Sequence, residues 1–372
     1  MDAATEVIHR CRLLAECTEE PGHITRTFLS SPMRDVHAMV RAWMEDAGLE
    51  VRVDAVGNIR GTIGPAPRIM IGSHLDTVPH AGAFDGILGV MMGIALSRCG
   101  RAMEVVGFSE EEGVRFGIPF IGSRALVGDP VMDAGVLDAV RAYGLDPAEL
   151  PGAMIDDEVS AYLEFHIEQG PVLEQMGLPV AVVDAISGQS RYDVTFRGRA
   201  NHAGTTPMFG RSDALAAAAE WILEVEKLSR DTPHLTATVG RLEVEPNATN
   251  VIAGEVRASL DVRSGSDSVR AAAAGRMLAA TSRRLMSVSY RQRMDQAAVP
   301  MNAQLVEKLG QFTPHRMSSG AGHDAMILAR KVPAVMLFLR SPGGISHHPD
   351  ENVLVSDVAA ALAAGKQFLE AL

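Results

Sequence analysis

At 372 residues the chain is longer than one hydrophobic core usually supports, so two domains are expected. The 47% hydrophobic and 22% charged residues are those of an ordinary globular protein, and a net charge of −12 without any Lys/Arg block excludes a nucleic-acid backbone as partner. No apolar stretch is long enough to span a bilayer without a charge, which excludes a membrane span.

The first residues, "MDAATEVIHRCRLLAECTEE", mix charges throughout and lack the apolar run of a secretory signal. The cysteines Cys11, Cys17 and Cys99 stand in no metal-type spacing, so free thiols in a reducing cytoplasm are expected. "MRDVHAMVRAWMEDAGL" has helical periodicity closed by Gly48, and "EVRVDAVGNIRGTI" reads as a strand pair with a turn at Gly57 and Asn58. "RIMIGSHLDTV" is an apolar strand, "ILGVMMGIALSRCG" a buried helix and "AMEVVGF" another apolar strand. Such alternation predicts an α/β core with a mostly parallel central sheet flanked by helices. Ligands in such sheets lie beyond the carboxyl ends of the strands.

A different rhythm begins near residue 187. "SGQSRYDVTFRGRA" reads as a strand, "SDALAAAAEWILEVEKL" as a helix, "HLTATVGRLEVE" and "EVRASLDVRS" as strands, "SDSVRAAAAGRMLAATSRRL" as a helix and "MSVSYRQRMD" as a strand. The order β-α-β-β-α-β predicts an inserted ferredoxin-like α+β module over 187–299, with a discontinuous catalytic domain made of 1–186 and 300–372.

"VVGFSEEEGVRF" sets three glutamates in a row behind an apolar strand. Neighbouring carboxylates raise one another's pKa, so the arrangement is costly unless a cation or a proton-transfer task compensates. Candidate ligands recur along the chain. His74 and Asp76 sit two apart at a strand end; Asp85 lies among glycines in "GAFDGILG". "YLEFHIEQG" alternates Glu164, His166 and Glu168 against an apolar face, and "GGISHHPDE" supplies His347, His348 and Glu351. Each alone is more often structural, but five such clusters, most of them after strands, point to a metal centre.

The motifs "GSHLDTVPHAGAFDGILGV", "FSEEEGVRFG", "LEFHIEQGPVLE", "NHAGTTPM", "NVIAGEVRASLDVR", "SGAGHDAM" and "GISHHPDE" resemble, in order, the allantoate amidohydrolase and N-carbamoyl-L-amino-acid hydrolase branch of the zinc aminopeptidase-like amidohydrolases. That resemblance implies two divalent ions, manganese or zinc, and an insert that serves as lid and dimerisation surface. It implies Asp85 as the bridging carboxylate, His74 and His166 completing one metal site, and Glu112 and His347 the other. Glu111 would be the general base, Asp76 would orient His74, and Glu110 would help orient its neighbours. His202 would stabilise the oxyanion in the partner subunit of a homodimer. Asn250 and Arg263 would grip a substrate carboxylate, with Gln189 and, near the substrate, Gly322 and His323. Ser190 stands where relatives commonly carry a second basic residue.

The reaction implied is hydrolysis of a ureido carboxylic acid, releasing ammonia and carbon dioxide. Allantoate stands ahead of N-carbamoyl-L-amino acids because the "EEEG" and "HIEQGPVLE" wording is closest to that branch; a β-ureido acid and ureidoglycolate carry the same groups. His166 disfavours a dipeptidase or aminoacylase. A silent binding protein on the same scaffold would have lost a ligand or the base, and here all six positions are filled.

Overall fold

The computed structural model describes residues 1–155, 158–283 and 286–372. The described chain forms two compact units: Met1–Asp184, Met301–Met317 and Gly322–Leu372 make one, and Ala185–Pro300 with Ser318–Ala321 make the other.

The first unit is α/β. Its strands lie in the order Glu50–Val53, Ile59–Ile63, Met103–Phe108, Arg68–His74, Val159–Ile167, Ala334–Leu339, Val180–Ile186. The four central strands, Met103–Phe108 through Ala334–Leu339, run parallel, whereas the flanking strands pair antiparallel, so the sheet is mixed. The parallel strands are buried along almost their whole length, which is why they read as apolar runs rather than as alternating ones. Residues 50–63 form the expected antiparallel pair, turned at Gly57 with φ 86°.

Helices cover this sheet. Met33–Asp46 buries Met33, Val36, Val40 and Met44, a stripe at helical spacing, and the chain turns out of it at Gly48 with φ 84°. Ile87–Leu96 is buried nearly all round, so it carries no polar face. It packs closely enough that a Cβ on Gly89 would stand 2.2 Å from the carbonyl oxygen of Phe165. Helices not marked by the sequence reading include Ala3–Ala15, whose first turn is capped by Asp2 accepting from the Thr5 amide at 2.9 Å.

The second unit is an antiparallel five-stranded sheet. Gly188–Arg197 lies between Ser287–Gln296 and Glu255–Ser264, and the last of these also pairs Leu235–Thr238 and Leu242–Glu245. Ala214–Arg230 and Asp267–Ala279 bury Ala217, Ala218, Trp221 and Met277 in one core with Val194, Phe196 and Val256. Trp221 keeps its indole N–H satisfied by donating to the carbonyl of Met277 at 2.8 Å. Of the helix read over 266–285, Arg284 and Leu285 lie outside the described residues.

Candidate active site and metal centre

The parallel strands of the first unit end on one edge, and the acidic and imidazole groups follow those ends. His74 is the last residue of Arg68–His74, and Glu110, Glu111 and Glu112 come just after Met103–Phe108. His166 stands near the end of Val159–Ile167, and His347 lies in the loop beyond Ala334–Leu339. Asp85 is at the centre. Its Oδ1 lies 3.1 Å from His166 Nε2 and 3.9 Å from His74 Nε2, and its Oδ2 lies 3.1 Å from His347 Nε2. Glu112 Oε1 is 3.3 Å from the same His347 nitrogen. Thus His74, Asp85 and His166 form one group of potential ligands and Asp85, Glu112 and His347 another, each with its ligand atoms within 4.8 Å of one another.

A pair of divalent ions fits these residues. Asp85 Oδ1 is buried and accepts no hydrogen bond, a cost that a cation would remove. His74 Nδ1 faces the carbonyl of Asp76 at 3.0 Å and His166 Nδ1 that of Ile167 at 2.9 Å, so both N–H groups point away and each Nε2 turns a lone pair toward Asp85. Mixed imidazole and carboxylate donors suit zinc or manganese. Gly86 makes room: its φ is +72°, and a Cβ there would stand 2.5 Å from the His74 ring.

The carboxylates beside this pair are held by backbone amides. Asp76 accepts from the amides of Glu111 at 3.0 Å and Glu112 at 3.2 Å, while its Oδ1 is 3.5 Å from His74 Nδ1. His74 Nδ1 thus faces both the carbonyl and the carboxylate of Asp76, and the same carboxylate sets the glutamate loop. Glu110 accepts from the amides of Gly113, Val114 and Phe28, which makes it the clasp of that loop. Glu351, given no role by the resemblance, accepts from the amides of Phe84 at 2.9 Å and Asp85 at 3.0 Å. Gln169, which sequence reasoning missed, donates to Asp85 Oδ2 at 3.0 Å. Its signal was faint: one amide beside a Gly, with φ +60°.

Burial pushes Glu111 well above the usual carboxylate range; His74 opposes this, and Glu112, Asp324 and Asp76 add to it. Burial, with Asp76 next in weight, likewise raises Glu110 to about 9. Burial works against an ionised Asp85, but the imidazoles of His166 and His347 beside it, when charged in the absence of metal, outweigh it and hold the group well below its ordinary value. His347 is raised to about 10 by hydrogen bonds to Asp85 and Glu112.

These directions describe the metal-free site, and they carry a sign. His347 holds its proton at neutral pH without metal; as a metal ligand it would be neutral imidazole, so metal binding there would displace that proton. Affinity should then rise with pH up to about 10. Calorimetric titration of metal-free protein with Mn2+ in two buffers of unlike ionisation enthalpy should report net proton release; equal heats in both would refute it.

His323 is buried with its ring 4.4 Å from that of His166, and burial first, then the charge of His166, drives it well below the ordinary histidine value. It is a neutral wall of the site. Gly322 lies against the Phe120 ring, 3.0 Å from where its Cβ would be.

Four of the expected substrate contacts lie in the second unit. His202 pairs Val251 in a two-residue ladder, and Asn250 lends its carbonyl to the Ala203 amide at 2.9 Å, so His202 and Asn250 stand side by side. His202 is exposed, and its Nδ1 accepts from the amides of Gly204 at 3.0 Å and Thr205 at 3.2 Å. The neutral ring therefore carries its proton on Nε2, as an outward donor. Arg263 faces Gln189 across the ladder. Arg263 directs Nε and Nη2 at Asp261, at 3.0 and 3.1 Å, and Nη1 at the Gly320 carbonyl at 2.9 Å, which leaves the outer edge of its fork for a ligand. Gln189 Oε1 is buried without a hydrogen bond. Ser190 is buried too, donating to Asp295 at 2.9 Å and accepting from Arg270.

A mixed α/β sheet whose strand ends gather four potential ligands around one shared aspartate, beside a protonatable glutamate, is an arrangement suited to a metal-dependent hydrolase. The sequence profile of peptidase family M20/M25/M40 matches residues 70–371, and the chain belongs to that family. It is 36% identical over 430 aligned residues to allantoate deiminase 2 of Glycine max, covering 99% of this chain and 89% of that one. It is 37% identical to the N-carbamoyl-L-amino acid amidohydrolase of Geobacillus stearothermophilus, covering 93% of each. The solved structure of a hydantoinase/carbamoylase family amidase from Burkholderia ambifaria superposes with a TM-score of 0.88 at 31% identity, covering 99% of this chain and 97% of that one.

Proposed function

We propose that this protein is an allantoate amidohydrolase, a dinuclear-metal enzyme that hydrolyses the ureido C–N bond of its substrate. The observation that carries this reading is Asp85 shared between two ligand groups with Glu111 beside them. When bound, two divalent ions would activate a water and polarise the attacked carbonyl as Lewis acids. Glu111, which burial alone favours in its protonated form, would beside that positive charge return to the range where a carboxylate accepts a proton. Glu111 takes the proton of the attacking water and delivers it to the departing nitrogen. The carbonyl carbon gains oxygen, the C–N bond to the rest of the substrate breaks, and the carbamic acid released falls to ammonia and carbon dioxide.

In this reading His74 and His166 complete one metal site with Asp85, and Glu112 and His347 the other. The second unit is a ferredoxin-like module that acts as lid and dimer surface. His202, a donor at Nε2, stabilises the oxyanion in the partner's site of a homodimer. Asn250, Gln189 and the outer edge of Arg263 hold the substrate carboxylate. Three free thiols, at Cys11, Cys17 and Cys99, fit a cytoplasmic setting, and no helix among the described residues is long and apolar enough to cross a membrane. Arg263→Lys keeps the charge but loses the planar fork that spans Asp261 and the ligand. KM should rise about tenfold or more with kcat less affected; unchanged kinetics on every carboxylate-bearing substrate would place the anchor elsewhere.

N-carbamoyl-L-amino-acid hydrolysis is the second reading, favoured by the Geobacillus relative, which aligns over 93% of this chain. Allantoate is preferred because the Glycine max relative aligns over 99% of this chain. The test is ammonia release from allantoate, N-carbamoyl-L-amino acids, a β-ureido acid and ureidoglycolate with Mn2+ added. The highest kcat/KM should fall on allantoate; a maximum on an N-carbamoyl amino acid would select the second reading.

A further inference from the structure

One further His/Glu group stands apart from the residues of the proposed centre. Glu20, His23 and His80, all exposed, bring one potential ligand atom each to within 4.8 Å of one another. His80 Nε2 lies 3.0 Å from Glu20 Oε2, and the rings of His23 and His80 stack with centroids 4.1 Å apart at 20°. Two ligand atoms on one tetrahedral zinc are roughly 3.3 Å apart, given metal–ligand bonds of about 2.0 Å, so the His80–Glu20 edge already has that span. The exposed side chain of His23 has only to turn to close the third position.

The backbone beneath is fixed. The His80 amide donates to Thr25 Oγ1 at 3.1 Å and the Ala81 amide to the Ile24 carbonyl at 2.8 Å, which stitches two stretches far apart in sequence. The His23 amide donates to the Glu20 carbonyl at 3.0 Å, and the Thr18 hydroxyl bonds to the carbonyls of His23 and Thr25. His80 itself adopts φ +56°, a left-handed conformation uncommon outside glycine. Its imidazole is thus presented from a set backbone position rather than from a loose loop.

We propose that Glu20, His23 and His80 form a peripheral site for a zinc-type divalent ion, with open positions filled by water. Two imidazoles and one carboxylate select a transition ion over magnesium or calcium. Occupancy would clamp the Glu20–His23 turn to the segment that leads from His80 to Asp85. The site does not depend on the identity of the substrate.

The test is a zinc count. Metal-free protein is equilibrated with Zn2+, passed through a desalting column and analysed for zinc per chain. His80→Asn, which keeps a residue tolerant of left-handed backbone, and Glu20→Gln should each hold about one zinc fewer than wild type. The same loss should appear in a His347→Ala background, which scores the central pair separately. Ammonia release by His80→Asn should match wild type at low zinc. An equal zinc count in wild type and both variants, in either background, overturns the site.

Discussion

Glu111→Gln should keep the fold and the metal content and lose turnover by about three orders of magnitude or more. The substitution replaces one carboxylate oxygen by an NH2 group and leaves every residue of the two ligand groups that share Asp85 in place. Its backbone amide still donates to Asp76, so the glutamate loop stays in place. What disappears is a group that can accept the water's proton and return it to the leaving nitrogen. Elemental analysis and rate should be measured on the same preparation. Near-wild-type turnover would remove Glu111 from the chemistry. A dead variant that had also lost metal would instead make it part of the metal site, a role compatible with its place in the His74, Glu111 and Glu112 group.

Mixing two inactive variants should restore activity. His202→Ala removes an oxyanion donor, which by itself should lower the rate by roughly two to three orders of magnitude. In the proposed homodimer each catalytic site takes Glu111 from one chain and His202 from the other. Random exchange between His202→Ala and Glu111→Gln chains gives about half heterodimers. Each heterodimer has one site with both groups intact, so activity should recover to about a quarter of wild type. Co-expression with different affinity tags provides both the hybrid and proof of exchange. A purified heterodimer as inactive as its parents would place His202 in its own subunit's site or outside catalysis.

The residues that gather around Asp85 were legible because sites on open α/β sheets draw on residues just past strand ends, and His74, Glu112, His166 and His347 each follow an apolar run. The second task of Asp76, holding the glutamate loop, was not. Reading the strand through Asp76 puts its side chain on the same side as His74, but the strand ends at His74 and the chain turns. That turn brings the Asp76 carbonyl to the imidazole and lets the carboxylate reach the amides of Glu111 and Glu112 as well. The reach of Glu110 beyond its own loop was hidden for a related reason, since its partner Phe28 lies 82 positions away. Glu351 and Asp85 are 266 positions apart, and no spacing rule links a carboxylate to a backbone amide at such distance. Within the sheet, apolar runs signalled burial on both faces without stating strand direction, so the antiparallel Val180–Ile186 beside Ala334–Leu339 could not be read from them. The pattern was equally silent on Arg263, whose side-on engagement by Asp261 two residues earlier follows from the period of the strand they share.

The most direct test of the account is ammonia release from allantoate by one preparation in three states: metal-free, reconstituted with Mn2+, and reconstituted then chelated. The account predicts release only in the second state, returning when Mn2+ is added back to the third. Release that persists at full rate in metal-free protein, or no release from allantoate or any other ureido acid in the reconstituted enzyme, would contradict it.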